Sequence, residues 1–214
     1  MLVTLLMSTG ILLAGCTSSH HTAALDHLLG PVAWDASRLA PPPPIIPAVL
    51  EQALHEAVNT VRQEQGYPPL QWTPALRDVA AEHSYHMAEA PFFGHTNPQG
   101  ENPSDRAARH GLTPTRPLGP YVLEGIGENL YLTHRYREVR LFPGDQPHEA
   151  DWKTVGAIAD ETIRAWLGSA THRANLLSPH YRGHAIGVVI GQNHTVYITQ
   201  NFSPCDVTTV AEAR

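Results

Sequence analysis

Residues 184–202 read HAIGVVIGQNHTVYITQNF, two runs rich in β-branched and aromatic residues, 184–191 and 195–202, joined by Gln192, Asn193 and His194. Short β-forming segments around an Asn-containing turn are a hairpin signal. A third strand is expected within YVLEGIGENL, residues 121–130. The segments upstream read as helices. From Ala48 to Gln65 the apolar residues Val49, Ala53, Leu54, Ala57, Val58 and Val61 recur at steps of three and four, the pattern of a half-buried helix that Gly66 ends. Thr73 as N-cap and Pro74 in the first helical position open a second helix, with Leu76, Val79, Ala80, His83 and Met87 on one side and Pro91 as its stop.

The run NPSDRAARHG, residues 102–111, is expected to form a short third helix capped by Ser104 and closed by Gly111. The longest amphipathic stretch runs from Lys153 to Leu167, where Val155, Ile158, Ala159, Thr162, Ile163, Trp166 and Leu167 share a stripe. Gly168 terminates it, and Thr171 is expected to cap the turn HRANLL. Three or four helices ahead of a small antiparallel sheet argue for an α+β domain with helices packed on the sheet. Residues 48–205 have the length of one domain and contain no visible repeat.

Three residues in this frame carry chemistry. His95 lies in FFGHT, Glu128 in GIGENLYL and His172 in WLGSATHRANLL. Two imidazoles and a carboxylate in one cleft bind a borderline divalent metal such as Zn, or divide acid and base roles between them. The competing reading is a hydrogen-bonded cluster that locks loops and helix ends. No GxSxG elbow is present, and Ser169, three residues before His172, shows no base-nucleophile pairing, which argues against a serine hydrolase. Asn129, Arg173, Asn175 and the stripe His55, Asn59 and Arg62 read as scaffolding, Trp166 as core, and Gly94 and Gly127 as turn formers.

The first 16 residues, MLVTLLMSTGILLAGC, are apolar but too short to span a bilayer, which fits a cleaved export signal. The ending LAGC resembles a bacterial lipobox, implying lipidation of Cys16 and attachment to a membrane. No Lys or Arg precedes the apolar run, a departure from the usual signal. Residues 17–47, with Pro41–Pro44, then form a stiff spacer, and 206–214 a tail. By analogy with bacterial lipoproteins, Thr17 after the cysteine, rather than Asp, implies the outer membrane in a cell with two membranes. With Cys16 acylated, Cys205 has no intramolecular partner, and a disulfide framework is excluded. The net charge of -6 argues against nucleic acid as a partner.

Six stretches, HEAVNTVRQEQGYPPLQW, LRDVAAEHSYHMAE, FFGHTNPQGENPSDRAARHG, GIGENL, AWLGSATHRANLL and YITQNF, together resemble the successive motifs of the bacterial CAP (SCP-like, pathogenesis-related 1) domain, over about Leu50 to Pro204. The resemblance implies a three-layer αβα sandwich whose cleft carries His95, Glu128 and His172. It also implies a further cleft glutamate, found in many eukaryotic members, at the position where this chain has Ser169. The loss of that carboxylate shifts the expectation from catalysis to binding. Family members have been linked to sterol and fatty-acid binding and others to proteolysis. The expectation is therefore an exported, lipid-anchored module of the cell envelope that binds a lipid, sterol or envelope ligand in a His/Glu/His cleft. The alternatives are a metal-dependent hydrolase of envelope peptide or glycan, and an adhesion or structural module. Residues 133–152 are extra relative to the bacterial pattern, and either cover the cleft or form a disordered insertion; His134 and His148 within them are further ligand candidates.

Overall fold

The structure, a computed structural model, describes residues 3–5, 38–142 and 147–205. Cys16, the rest of the expected signal, most of the spacer and the tail lie outside the described residues. The chain divides into two compact units, Ile45–Arg135 with Thr154–Arg214, and Met1–Pro44 with Tyr136–Lys153.

Among its described residues the larger unit holds five α-helices: α1 (Pro47–Glu64), α2 (Pro74–Glu89), α3 (Pro103–Arg109), α4 (Val155–Gly168) and α5 (Ala170–Leu176). Its central sheet contains β2 (Gln71–Trp72), β5 (Gly127–His134), β8 (Gly183–Ile190) and β9 (Thr195–Ser203), in the order β2-β8-β9-β5. All pairings are antiparallel except that of the two-residue β2, which runs parallel to β8, so the sheet is mixed. The expected hairpin is formed by β8 and β9, with a 3₁₀ turn at Gln192–His194.

The sheet's alternation decides the layers. Ile186, Val188, Val196, Ile198 and Phe202 join Leu54 and Val58 of α1 and Ile158 and Trp166 of α4 in the main core. The opposite face receives α2. At Gly187 a Cβ would stand 2.1 Å from the Ala81 backbone nitrogen, so glycine is what lets α2 lie directly on β8. Helices on both faces of a small sheet are the α+β sandwich that the sequence led us to expect.

Strand β5 is an edge strand, and side chains cover its outer rim. Asn175 of α5 donates to the Glu128 carbonyl (3.1 Å), and the Trp166 indole of α4 to the Leu130 carbonyl (3.1 Å). The strand starts later than expected. Tyr121–Glu124 forms β4 of a separate hairpin with β3 (Thr115–Leu118), because Gly125 turns the chain at φ +89° and Ser104 Oγ captures the Ile126 N–H at 2.9 Å. Ser104 is therefore not the cap of α3. Asn102 is, accepting from the backbone N–H groups of Ser104 and Asp105, while Asp105 reaches back to the Asn102 N–H. Thr171 likewise lies inside α5, and Ser169 holds its N-cap position.

In the smaller unit, β6 (Tyr136–Leu141) pairs with β7 (Glu149–Trp152) and with β1 (Val3–Leu5). Leu39, in the stretch read as spacer, packs with Tyr136 and Val139. The extra segment after β5 is thus built on strands over its described residues. Within it His148 is buried, and its Nδ1 accepts from the Phe142 N–H.

Candidate functional site

Glu128 occupies the second position of β5, opposite Asn201 of β9. Its side chain is 1 % exposed, and both carboxylate oxygens are engaged. Oε1 accepts from His95 Nδ1 at 2.8 Å, and Oε2 from Arg106 Nη2 at 2.6 Å. Arg106, fully buried on α3, also donates through Nη1 to the carbonyls of His95 (2.8 Å) and Glu101 (3.0 Å). One guanidinium thus fixes the carboxylate and the backbone of the histidine that faces it. This planar fork is a geometry that lysine cannot supply.

The His95 loop has a second support. His83 of α2, fully buried, has Nε2 3.0 Å from the Gly94 carbonyl and 4.0 Å from Glu128 Oε1. A carbonyl can only accept, so this nitrogen carries the proton. Burial pushes the His83 imidazole below its ordinary value, against the pull of Glu128.

His172 enters from α5. Its carbonyl accepts from Asn129 Nδ2 at 3.2 Å, and Asn175 donates to Asn129 Oδ1 at 2.9 Å. Burial, and next the charge of His95, hold the His172 imidazole below its ordinary value, so it is neutral at pH 7 and senses His95 electrostatically. His95 and Glu128 are therefore in direct contact, and His172 couples to them through field and backbone. Ser169 places its Oγ 3.1 Å from Thr171 Oγ1 and brings no carboxylate.

The sequence reading missed Arg106 and His83. Arg106 sat in a short polar run that reads as a surface helix, and His83 on an apolar stripe that reads as core. A cation followed by Ala107 and Ala108 in a helix closed by glycine was the one available signal.

The model of the CAP family, described as the cysteine-rich secretory protein family, matches residues 55–202. The chain belongs to the CAP family. It is 25 % identical over 139 residues to the uncharacterized protein YkwD of Bacillus subtilis, a match covering 65 % of this chain and 42 % of that protein. A solved extracellular protein containing an SCP domain from Bacillus anthracis superposes with a TM-score of 0.52 at 23 % identity, over 75 % of this chain and 44 % of that one. An outer surface protein from Borrelia burgdorferi superposes with a TM-score of 0.53 at 16 % identity, over 74 % of this chain and 95 % of its own. This CAP chain thus spans less than half the length of the two Bacillus relatives.

The CAP cleft's donor set can be tested against a metal ion. Among the described residues no group of three or more His, Cys, Asp and Glu side chains is arranged to hold one. Glu128, with both oxygens bonded, fits as the carboxylate behind a ligating histidine rather than as a ligand. Accepting from Nδ1–H fixes the His95 tautomer and leaves Nε2 with its lone pair free to ligate. The His95 side chain is 52 % exposed, so an ion from solvent can reach it.

Proposed function

We propose that this CAP domain is an exported, lipid-anchored binding module of the bacterial envelope, whose cleft takes a ligand at a divalent ion held by His95 and His172. The observation that carries this reading is the pairing of His95 Nδ1 with a buried carboxylate that is itself clamped by Arg106. That arrangement orients an imidazole for ligation. Neutral His172 supplies the second nitrogen, and solvent and ligand complete the shell. A bound Zn would act as a Lewis acid toward an oxygen of the ligand. The chain's own residues orient the two imidazoles, and Glu128 Oε1 accepts from His95 Nδ1–H. With serine at position 169, the cleft lacks one carboxylate that a proton-transfer mechanism would use, which favours binding over turnover.

One structural relative is an extracellular protein and the other an outer surface protein, which supports export. Membrane attachment rests on the LAGC motif, and the ligand class it brings within reach is an envelope lipid, sterol, peptide or glycan.

Calorimetric titration of the purified chain with zinc tests the site. One ion per chain is expected, with loss of binding in His95→Ala and His172→Ala and a weakening of about 10–100-fold in Glu128→Gln. Unchanged affinity in both histidine variants would overturn the metal reading. For the anchor, mass spectrometry of the membrane fraction is expected to find an acylated Cys16 as the first residue, and an intact Met1 would refute export.

A further inference from the structure

A chain of side chains crosses the main core from α1 to the cleft, and both of its ends have fixed polarity. At the α1 end Asn59 Oδ1 accepts from the Leu70 N–H (2.8 Å), and Nδ2 donates to the Leu70 carbonyl (3.0 Å). At the cleft end Asn129 accepts from Asn175 and donates through Nδ2 to the His172 carbonyl. Each end therefore presents an N–H to what lies between. The links are Asn59 Nδ2 to His55 Nε2 (3.4 Å), His55 Nδ1 to His184 Nε2 (2.7 Å), His184 Nδ1 to the Gln200 amide (2.8 Å), and Gln200 to Asn129 Nδ2 (3.4 Å).

A neutral imidazole has one N–H and one lone pair, and a carboxamide one donor and one acceptor end. Each of the three relays therefore passes polarity along unchanged. A donor at both ends is then incompatible with four satisfied links, and one must stay open. The two inner links are short and the two outer ones are both 3.4 Å, so the open link falls at an end. His184 and Gln200 are 0 % exposed, whereas His55 and Asn59 are half-buried. An unmade donor costs least where water can reach it. The favoured arrangement opens at His55 and Asn59, with Gln200 Oε1 accepting from Asn129, Gln200 Nε2 donating to His184 Nδ1, and His184 Nε2–H donating to His55.

We propose that His184 and Gln200 are positioning residues of the cleft, acting through Asn129 on the backbone of His172, and that His55 sets their polarity from the far side of the core. An acceptor brought against His55 Nε2 closes the open link and keeps Asn129 held. A donor there reverses the chain, turns the Gln200 amide over and opens the link to Asn129. This inference rests on the reading that His172 belongs to the binding site, but its polarity rule can be tested without any ligand.

The experiment is nitrogen-15 NMR of the imidazoles in the full chain, beside zinc titrations. Wild-type His184 is expected as the Nε2–H tautomer. In Gln200→Glu, two acceptor oxygens face both neighbours, and His184 is expected to switch to Nδ1–H while Asn129 keeps its partner. Gln200→Leu removes that partner, and zinc affinity is expected to fall about tenfold, the lower end of the range for outer-shell changes. Gln200→Glu should retain most of the wild-type affinity. An Nδ1–H tautomer in the wild type, or the same tautomer in both proteins, would overturn the inference. Equal zinc affinity in Gln200→Leu and wild type would remove its link to the cleft. Failure of the wild type to bind zinc would sink the metal reading and leave the tautomer result to decide the polarity rule.

Discussion

Glu128 and Arg106 form the fixed point from which the rest of the cleft is built. Both side chains are essentially out of solvent, and each would be an uncompensated buried charge without the other. Arg106→Met should therefore cost about 3–5 kcal/mol in urea unfolding, the range for breaking a buried pair from one side. His95→Ala removes a half-exposed ring and should cost well under half of that, so stability and ion binding can be separated at adjacent residues. Gly127 is a second sensitive position. An added Cβ would fall on the Tyr181 hydroxyl, whose ring is stacked on Phe202 at 5.0 Å, and Gly127→Ala should lose about 1–3 kcal/mol through that clash. Its presence next to Glu128 thus reflects the tyrosine packed against it more than a turn, which the sequence reading had assigned.

At the scale of elements, α2 depends on the bare backbone of Gly187. A Cβ there meets the backbone of Ala80 and Ala81, which cannot swing aside as a long side chain can. Gly187→Ala should shift or release α2, seen as a drop of more than about 2 kcal/mol in stability together with faster amide exchange in Pro74–Glu89. Helices α1, α2 and α4 and the β8–β9 hairpin were legible because their apolar spacing and turn residues are local. The start of β5 was not. Gly125 and the contact from Ser104 to Ile126 decide it, and the latter joins residues 22 apart in sequence. The same limit explains the cleft: His95, Glu128 and His172 stood out by residue type and motif, whereas the burial of Arg106 and His83 depends on how α2 and α3 close over the sheet.

For the whole molecule the buried and half-buried imidazoles set a pH limit. His55, His83, His172, His184 and His194 are all held below their ordinary value, in each case chiefly by burial, and His184 is pushed down to about 3. The unfolded chain then takes up protons first as pH falls below about 6.5, so stability is full above that value and declines beneath it. His184 alone should remove about 2 kcal/mol between pH 7 and pH 5, and His184→Gln should flatten that part of the profile in denaturant titrations. The covered rim of β5 bears on another property. Asn175 reaches it from α5 and Trp166 from α4, so a refolding chain holds an open strand edge until those two helices dock. In that interval two chains can pair edge to edge, so refolding yield should depend on protein concentration even though the finished fold leaves that edge covered.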